Sequence, residues 1–431
     1  MNALIPGAPI EAEFEWPTED CSRIPNWVYS SQEIYQRELE RIFYGPFWTF
    51  VGLEAEIPEP GDFKRAVVGE RSILVTRAAD GSVNAVLNSC AHRASEVCQS
   101  RFGNAKELMC PYHQWVYDLK GDLLGVPFRR GMKGKGGFPK DFDLSRHGLR
   151  KLKVETLNGA IFASFDHEAL PLRDYLGAEI YARMERVLDG RKLRLLGYHR
   201  QHIHANWKLY PENMKDSYHA TLLHVFLISF GLFRIDQKGE LIQDDRTRAH
   251  NVVSSIRNDV EDVAGTEELR SLKHNFELND MRPLDVVKEY PDAVTIQNVT
   301  MFPAMTLQQQ TNLLQFRNVI PLGPNAFELS WTYFGYEDDD AEMTRRRVRM
   351  ANLVGAAGLI SVDDTEVFEF SSAGMRVNPD RACVVELGGR GLETPVAGDM
   401  VSEGPIRGFY DFYRRIMFDG PAPTATQGAG Q

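Results

Sequence analysis

Cys90-Ala91-His92, then seventeen residues, then Cys110-Pro111-Tyr112-His113 is the stretch from which the architecture of this chain follows. Each half puts one thiolate and one imidazole on a tight loop. Two thiolates on one iron and two imidazoles on the other hold a two-iron, two-sulfur cluster, which moves one electron at a time. The neutral imidazoles raise its reduction potential above that of an all-cysteine cluster. A zinc site with two Cys and two His uses the same ligands. Zinc fingers, however, keep Cys-x-x-Cys apart from His-x3–5-His, whereas here each loop mixes the two. The flanks supply a scaffold. From Trp48 to about Phe165, β-like runs (AVVG, SILVTR, VNAVLN, GAIFASF) alternate with turns such as Ala79-Asp80-Gly81 and Lys120-Gly121-Asp122. The motif therefore sits in loops of a small all-β domain. Pro111 stiffens the second loop, and Trp115 is placed to cover the cluster.

A second motif lies further on, Asn213-x-x-Asp216-x-x-His219-x4-His224. Two imidazoles with a carboxylate are the makings of a mononuclear iron site with open positions for dioxygen. Residues 206–228 read as helix. Asp216 and His219 are three positions apart, so both fall on one helical face. His219 and His224 are five positions apart, too far around a regular helix to share a metal. The helix must distort or end between them, with strain expected at Ala220–Leu223. A rival cluster, His199-x-x-His202-x-His204, has no third ligand at fitting spacing and reads as a polar strand surface.

The chain has 431 residues, a net charge of −11, 43% hydrophobic and 25% charged residues. That is ordinary for a soluble protein of two or three domains. The acidic balance argues against nucleic-acid binding, which needs a basic face. Five scattered cysteines make no disulfide framework, and two are claimed by the cluster. Cys98 reads as a buried small hydrophobe. With no basic, apolar leader and no apolar run long enough to span a bilayer, the expectation is a cytoplasmic protein without a membrane segment.

Along the chain, residues 1–45 form an arm and a helix opened by Ser30 with Glu33 as capping box. Residues 46–165 form the cluster domain, 166–419 the catalytic domain, and 420–431 a disordered tail. Residues 229–290 look polar and irregular. Strand signals at AVTIQNVTMFP, MTLQQQTNLLQFRNVIP and AFELSWTYFGY, followed by helices near 339–353 and 362–371, give an α+β catalytic domain: an antiparallel sheet flanked by helices.

Cys90-x-His92-Arg93 with Cys110-Pro111-Tyr112-His113-Gln114-Trp115 resembles the Rieske domain of aromatic-ring-hydroxylating oxygenases, and the resemblance extends over nearly the whole chain. Many members carry Gly where this chain has Ala94 and Gln114. The resemblance implies a helix-grip catalytic domain, and a Rieske [2Fe–2S] cluster on Cys90, His92, Cys110 and His113. It implies iron(II) on His219, His224 and a distant Asp. The segment Gly355-Ala-Ala-Gly-Leu-Ile-Ser-Val-Asp363-Asp364-Thr-Glu-Val-Phe-Glu369 is similar to the family's third-ligand motif, making Asp364 the ligand and Asp363 a flanking N-cap residue. It further implies that Asp216 links His113 of one subunit to His219 of its neighbour, in a trimer. Asn213 then lies beside the iron as a polar neighbour.

Stretches such as GLEAEIPEPGDFKR and WKLYPENMKDSYHATLLH are similar to the salicylate and anthranilate hydroxylase branch, which acts on ortho-substituted benzoates. The implied activity is hydroxylation or cis-dihydroxylation of an aromatic acid by dioxygen. The candidates are anthranilate (1,2-dioxygenation to catechol) and salicylate (5-hydroxylation). The implied partners are a ferredoxin, an NAD(P)H-dependent reductase and a small beta subunit in an α3β3 assembly. Candidate pocket residues are Met214, Leu223, Phe226, Gln308, Gln310, Val354 and Ile360. Two alternatives stand beside this: a demethylating monooxygenase without a beta subunit, and a Rieske electron carrier with a partner-binding domain.

Overall fold

A computed structural model describes residues 14–233, 237–256, 269–273, 275–392 and 400–419. The predicted tail at 420–431 and the first part of the N-terminal arm lie outside these residues.

The cluster-bearing part is built from three small antiparallel sheets, as the β-like runs predicted. One pairs Val83–Leu87, Arg71–Arg77, Asp62–Val68 and Phe102–Asn104 in that order. A second, Leu108–Met109 with Val116–Tyr117 and Leu123–Gly125, is a short double hairpin that presents the second cluster loop. The third joins Lys153–Leu157, Ala160–Ser164 and Thr49–Leu53. The turn glycines sit where their freedom is needed: Gly81 and Gly121 have φ of 83° and 87°.

The catalytic part is a seven-stranded antiparallel sheet with helices on both sides. Helix α1 (Ala178–Val187) precedes β1 (Leu193–Ile203). Three single-turn helices follow: α2 (Leu209–Asn213), α3 (His219–Leu223) and α4 (Val225–Ser229). The sheet continues with β2 (Gly239–Gln243), β3 (Asn251–Ser255), β4 (Ile296–Met301), β5 (Met305–Gln310), β6 (Leu313–Pro321) and β7 (Phe327–Tyr336). Helices α5 (Ala341–Val354), α6 (Ser361–Val377) and α7 (Gly404–Phe418) complete it. The strand order is β1-β7-β6-β5-β4-β3-β2.

The sheet's two faces have different jobs. Side chains alternate along a strand, so a register fixes which residues share a face. Asn298 pairs with Val253 and Gln308, and Gln308 with Gln315. One position along, Arg317 faces Thr306 and Trp331. These residues, with Ser255, Ile296 and Gln310, form one face, and it looks onto α2, α3 and α6. The opposite face is covered by α1, where Gln297 Nε2 donates to the Arg183 carbonyl at 2.9 Å. It is also covered by Phe50, whose ring stacks on Phe316 with centroids 4.0 Å apart. That stack welds the two parts of the chain together.

Three sequence expectations are corrected. Ser30 ends a short helix (Trp27–Ser30), and Ser31 caps the next by accepting from the Ile34 amide. Residues 206–228 are three short helices, not one. The stretch 229–290 contributes β2 and β3 to the sheet. The alternation of β3 was hidden because two of its inward residues are polar: Asn251 is buried and accepts from Lys215 Nζ at 2.9 Å, and Ser255 lines a cavity.

Candidate active site

Asp216 lies in the bend between α2 and α3, and its Oδ1 accepts from the Tyr218 and His219 amides at 3.1 and 3.0 Å. That cap starts α3 at His219. The Asp216 carbonyl meets His219 Nδ1 at 2.6 Å, which puts the proton on Nδ1 and frees Nε2. The expected break is real but lies at His224, whose ψ of 88° interrupts α3 and α4. The break turns the second imidazole toward the first, ring centroids 5.4 Å apart.

Asp364 arrives on the first turn of α6. The Gly355–Gly358 turn makes this approach possible. A Cβ on Gly355 would come within 2.5 Å of the Tyr333 hydroxyl, and one on Gly358 within 2.1 Å of the Leu353 carbonyl. Asp364 Oδ1 stands 3.5 Å from His219 Nε2 and 3.2 Å from His224 Nε2. Ligand atoms on one face of an octahedral iron are about 3 Å apart, so the three groups fit a facial triad. Among the described residues this is the one group of three His, Cys, Asp or Glu whose ligand atoms lie within 4.8 Å of one another. The Asn213 amide sits 3.1 Å from both His219 Nε2 and Asp364 Oδ1. Asp363, read from sequence as an N-cap, instead meets His224 Nδ1 at 3.3 Å and orients that ring.

The electrostatics suit a cation. Burial disfavours charge on every member. For Asp364 the two imidazoles outweigh burial and hold its carboxyl well below the usual range. For His219, Asp216 and Asp364 outweigh it and raise the imidazole to about 10.

At the cluster loops, Cys90 Sγ lies 3.1 Å from the Tyr117 hydroxyl. The His92 and His113 rings are 4.5 Å apart, and Trp115 stacks on His92 at 4.9 Å with planes 3° apart. Trp115 thus covers the site as predicted. His92 Nδ1 is buried with no partner, an acceptor waiting for a ligand. At Cys110, burial raises the thiol, but the Tyr112 and His113 amides and Cys90 outweigh it and favour thiolate. No three of these four ligands come within 4.8 Å, so they are too spread for one tetrahedral zinc and suit a two-iron cluster. Cys98 is only partly buried, at the edge of this core.

Ala94 and Gln114, where the family often has Gly, have φ of 56° and 55°. Both loops need a left-handed residue there, which costs a side chain about 1 kcal/mol relative to glycine. Ala94→Gly and Gln114→Gly should each raise the melting temperature by about 1–3 °C with an unchanged cluster spectrum. A fall in melting temperature would refute this.

The cavity beside the triad is lined by Met214, Gln308, Gln310 and Ile360, as expected, and also by Leu227, Phe233, Val253, Ser255, Asn298 and Arg317. Leu223 and Phe226 do not line it. The break at His224 turns them to a separate cavity with Phe230, Phe276 and Leu359. Val354 is fully buried and lines neither; its carbonyl accepts from Ser361 Oγ at 2.7 Å and anchors α6. The rival histidines are dispersed: His199 meets Tyr333, His202 meets Glu328 and His204 meets Glu369. A larger cleft of about 580 Å³ opens between the two parts of the chain, and none of the triad or cluster ligands lines it.

Arg317 is the residue sequence analysis missed. It is 4% exposed. Its Nη2 donates to Gln308 Oε1 at 2.6 Å, Nη1 lies 3.6 Å from Met214 Sδ, and the guanidinium stands over Trp331 at 4.2 Å. No acidic side chain among the described residues pairs with it. The signal was there: an arginine in the middle of LLQFRNVIP, in phase with Gln315 and across from Thr306.

The family of the ring hydroxylating alpha subunit (catalytic domain) matches residues 191–419, and the Rieske [2Fe-2S] domain matches residues 47–135. The large oxygenase component of salicylate 5-hydroxylase from Ralstonia sp is 49% identical over 412 residues, covering 94% of this chain and 96% of that protein. The anthranilate 1,2-dioxygenase large subunit of Burkholderia cepacia is 43% identical over 409 residues, with 94% and 96% coverage. The crystal structure of naphthalene 1,2-dioxygenase from Rhodococcus sp., bound to indole, shares the fold with a TM-score of 0.76 at 24% identity, over 93% of this chain and 95% of that one. Over nearly its full length this chain belongs to the ring-hydroxylating oxygenases, as an alpha subunit whose cofactors are a Rieske [2Fe–2S] cluster and a mononuclear non-haem iron.

Proposed function

We propose that this alpha subunit hydroxylates an aromatic carboxylic acid, salicylate or anthranilate being the best candidates. One observation carries the proposal: Arg317, a buried guanidinium in the cavity beside the triad, with no carboxylate partner among the described residues. A buried charge without a counterion costs several kcal/mol. A substrate carboxylate would neutralise it through paired hydrogen bonds. The names of the two relatives support the same class. Arg317 also disfavours a cationic substrate.

In this proposal residues 46–165 store the electron and 166–419 carry out the oxidation. Cys90, His92, Cys110 and His113 hold the cluster; His219, His224 and Asp364 hold iron(II). The cluster supplies single electrons and the iron activates dioxygen. The protein's own work is to hold and orient. The Asp216 carbonyl fixes the His219 tautomer, Asp363 fixes His224, and Asn213 buttresses Asp364. Leu227, Phe233 and Ile360 give the cavity apolar surfaces against which an aromatic ring packs. Electrons come from a ferredoxin and an NAD(P)H-dependent reductase in the cytoplasm. A small beta subunit completes an α3β3 assembly, in which Asp216 bridges to His113 of the partner subunit. Asp216→Asn keeps an amide oxygen to cap α3, so it should fold. The variant should still reduce its cluster at the normal rate, yet lose at least tenfold in single-turnover product formation. Normal product formation would remove Asp216 from the electron path.

Turnover of a panel of substituted benzoates with a reconstituted reductase, products identified by mass, tests the function. Hydroxylated aromatic acids or catechols are expected. Turnover of neutral arenes in preference to every acid would overturn it.

A further inference from the structure

We propose that Asn298 selects aromatic acids that carry a hydrogen-bond donor on the carbon next to the carboxylate. The proposal rests on the assignment of Arg317 to that carboxylate. Asn298 lies on β4, on the cavity face of the sheet, directly across from Gln308. Gln308 in turn accepts from Arg317 at 2.6 Å. Arg317 lies on the adjacent cross-strand row, with Thr306 and Trp331, and its guanidinium reaches diagonally to Gln308, so Gln308 stands between the cation and the Asn298 amide. Cross-strand neighbours have Cβ atoms about 5 Å apart.

Asn298 Oδ1 is buried and has no hydrogen-bond partner. On the next strand the Ser255 hydroxyl, also on the cavity face, is likewise buried and unpaired. Buried acceptors left without a donor are rare in folded proteins and call for a partner. Val253, Ile296, Leu227 and Phe233 beside it are apolar, and none of the polar side chains that also line the cavity meets Asn298 Oδ1 within hydrogen-bond distance. A ligand can. With its carboxylate on Arg317, an aromatic acid directs its adjacent substituent past Gln308 toward Asn298. A hydroxyl or amino group there donates to Oδ1. A hydrogen or fluorine leaves the acceptor stranded. A site built to hydrogen-bond a group rejects the analogue that lacks it far more strongly than an apolar pocket rejects a missing methylene.

The test is equilibrium binding of salicylate, anthranilate, benzoate and 2-fluorobenzoate to the fully loaded wild-type protein, Asn298→Leu and Asn298→Val. Two variants are used because either replacement could perturb the strand, and the visible spectrum of the cluster reports folding. The wild type should bind salicylate and anthranilate about 10–100-fold more tightly than 2-fluorobenzoate. In whichever variant folds, that gap should shrink to within about threefold. An equal gap in wild type and variant, or no gap in the wild type, overturns the role of Asn298 while leaving the carboxylate assignment standing. Failure of all four acids to bind the wild type overturns both.

Discussion

Replacing Arg317 with glutamine should lower kcat/KM for an aromatic acid by about 10²–10⁴-fold, mostly through KM. The magnitude follows from what the guanidinium does. It is buried against the face of Trp331, held by Gln308, and lacks an acidic partner among the described residues. A substrate carboxylate that enters the cavity meets a preorganised fork of donors in a medium of low dielectric. Each charge-assisted hydrogen bond there is worth roughly 1.5–3 kcal/mol. Arg317→Lys keeps the charge and loses the fork, so it should fall between the wild type and the glutamine variant. Stability separates binding from scaffolding. Removing one half of a buried ion pair is strongly destabilising, whereas removing an uncompensated buried cation relieves a desolvation cost. Arg317→Gln should therefore melt at or above the wild-type temperature. A variant that melts well below the wild type, or one whose KM for acids is unchanged, would show that Arg317 serves the fold and not the substrate.

The contrast between Arg317 and the proposed metal ligands shows what was legible in the sequence. The cluster loops and His219, His224 and Asp364 could be found because metal chemistry fixes residue type and spacing together. Strand alternation made β4–β7 legible for a similar reason, since apolar residues such as Val299, Leu307, Leu314 and Phe316 recur at alternate positions on the face away from the cavity. It failed for β3, whose inward positions mix apolar Val253 with polar Asn251, which accepts from buried Lys215, and Ser255, which lines the cavity. A substrate cavity breaks the apolar period that marks a strand. Helical period misled in the same region: Leu223 and Phe226 sit close to His224 in sequence, but the break there sends them to another cavity. Asp363 was read as a cap because two acids open a helix, and only the fold shows that one acid faces the other two ligands while its neighbour steadies His224. Pocket residues such as Asn298 and Arg317 come from strands joined by register, which no single segment encodes.

Asp364→Ala should remove the mononuclear iron and nearly all turnover, at least 10³-fold, while leaving the cluster and its two irons in place. Iron analysis would fall from about three to two per chain, and the cluster's visible spectrum would not change. The pH dependence of metal uptake gives a second, quantitative handle. In the metal-free protein burial works against protonated His219, but Asp216 and Asp364 overcome it and raise the imidazole from its ordinary 6.5 to about 10. A raised imidazole stabilises the fold fully below its unfolded value, and that contribution drains away as pH climbs from 6.5 through about 10. Metal-free protein should therefore lose melting temperature across that window. Iron binding displaces the same proton, so apparent affinity should rise by up to about tenfold per pH unit there. The iron-loaded protein should show little of the slope. At the acid end the sign reverses: Asp364, its carboxyl held low by the two imidazoles despite burial, stabilises the fold above the ordinary carboxylate value and stops doing so as pH falls through its lowered one. Asp364→Ala removes that contribution and also one of the two carboxylates that raise His219. The alkaline slope of the metal-free variant should then be shallower than that of the wild type. Three irons per chain in the variant would mean that Asp364 is no ligand, and an unchanged alkaline slope would mean that the carboxylate and His219 do not share a proton-or-metal site at all.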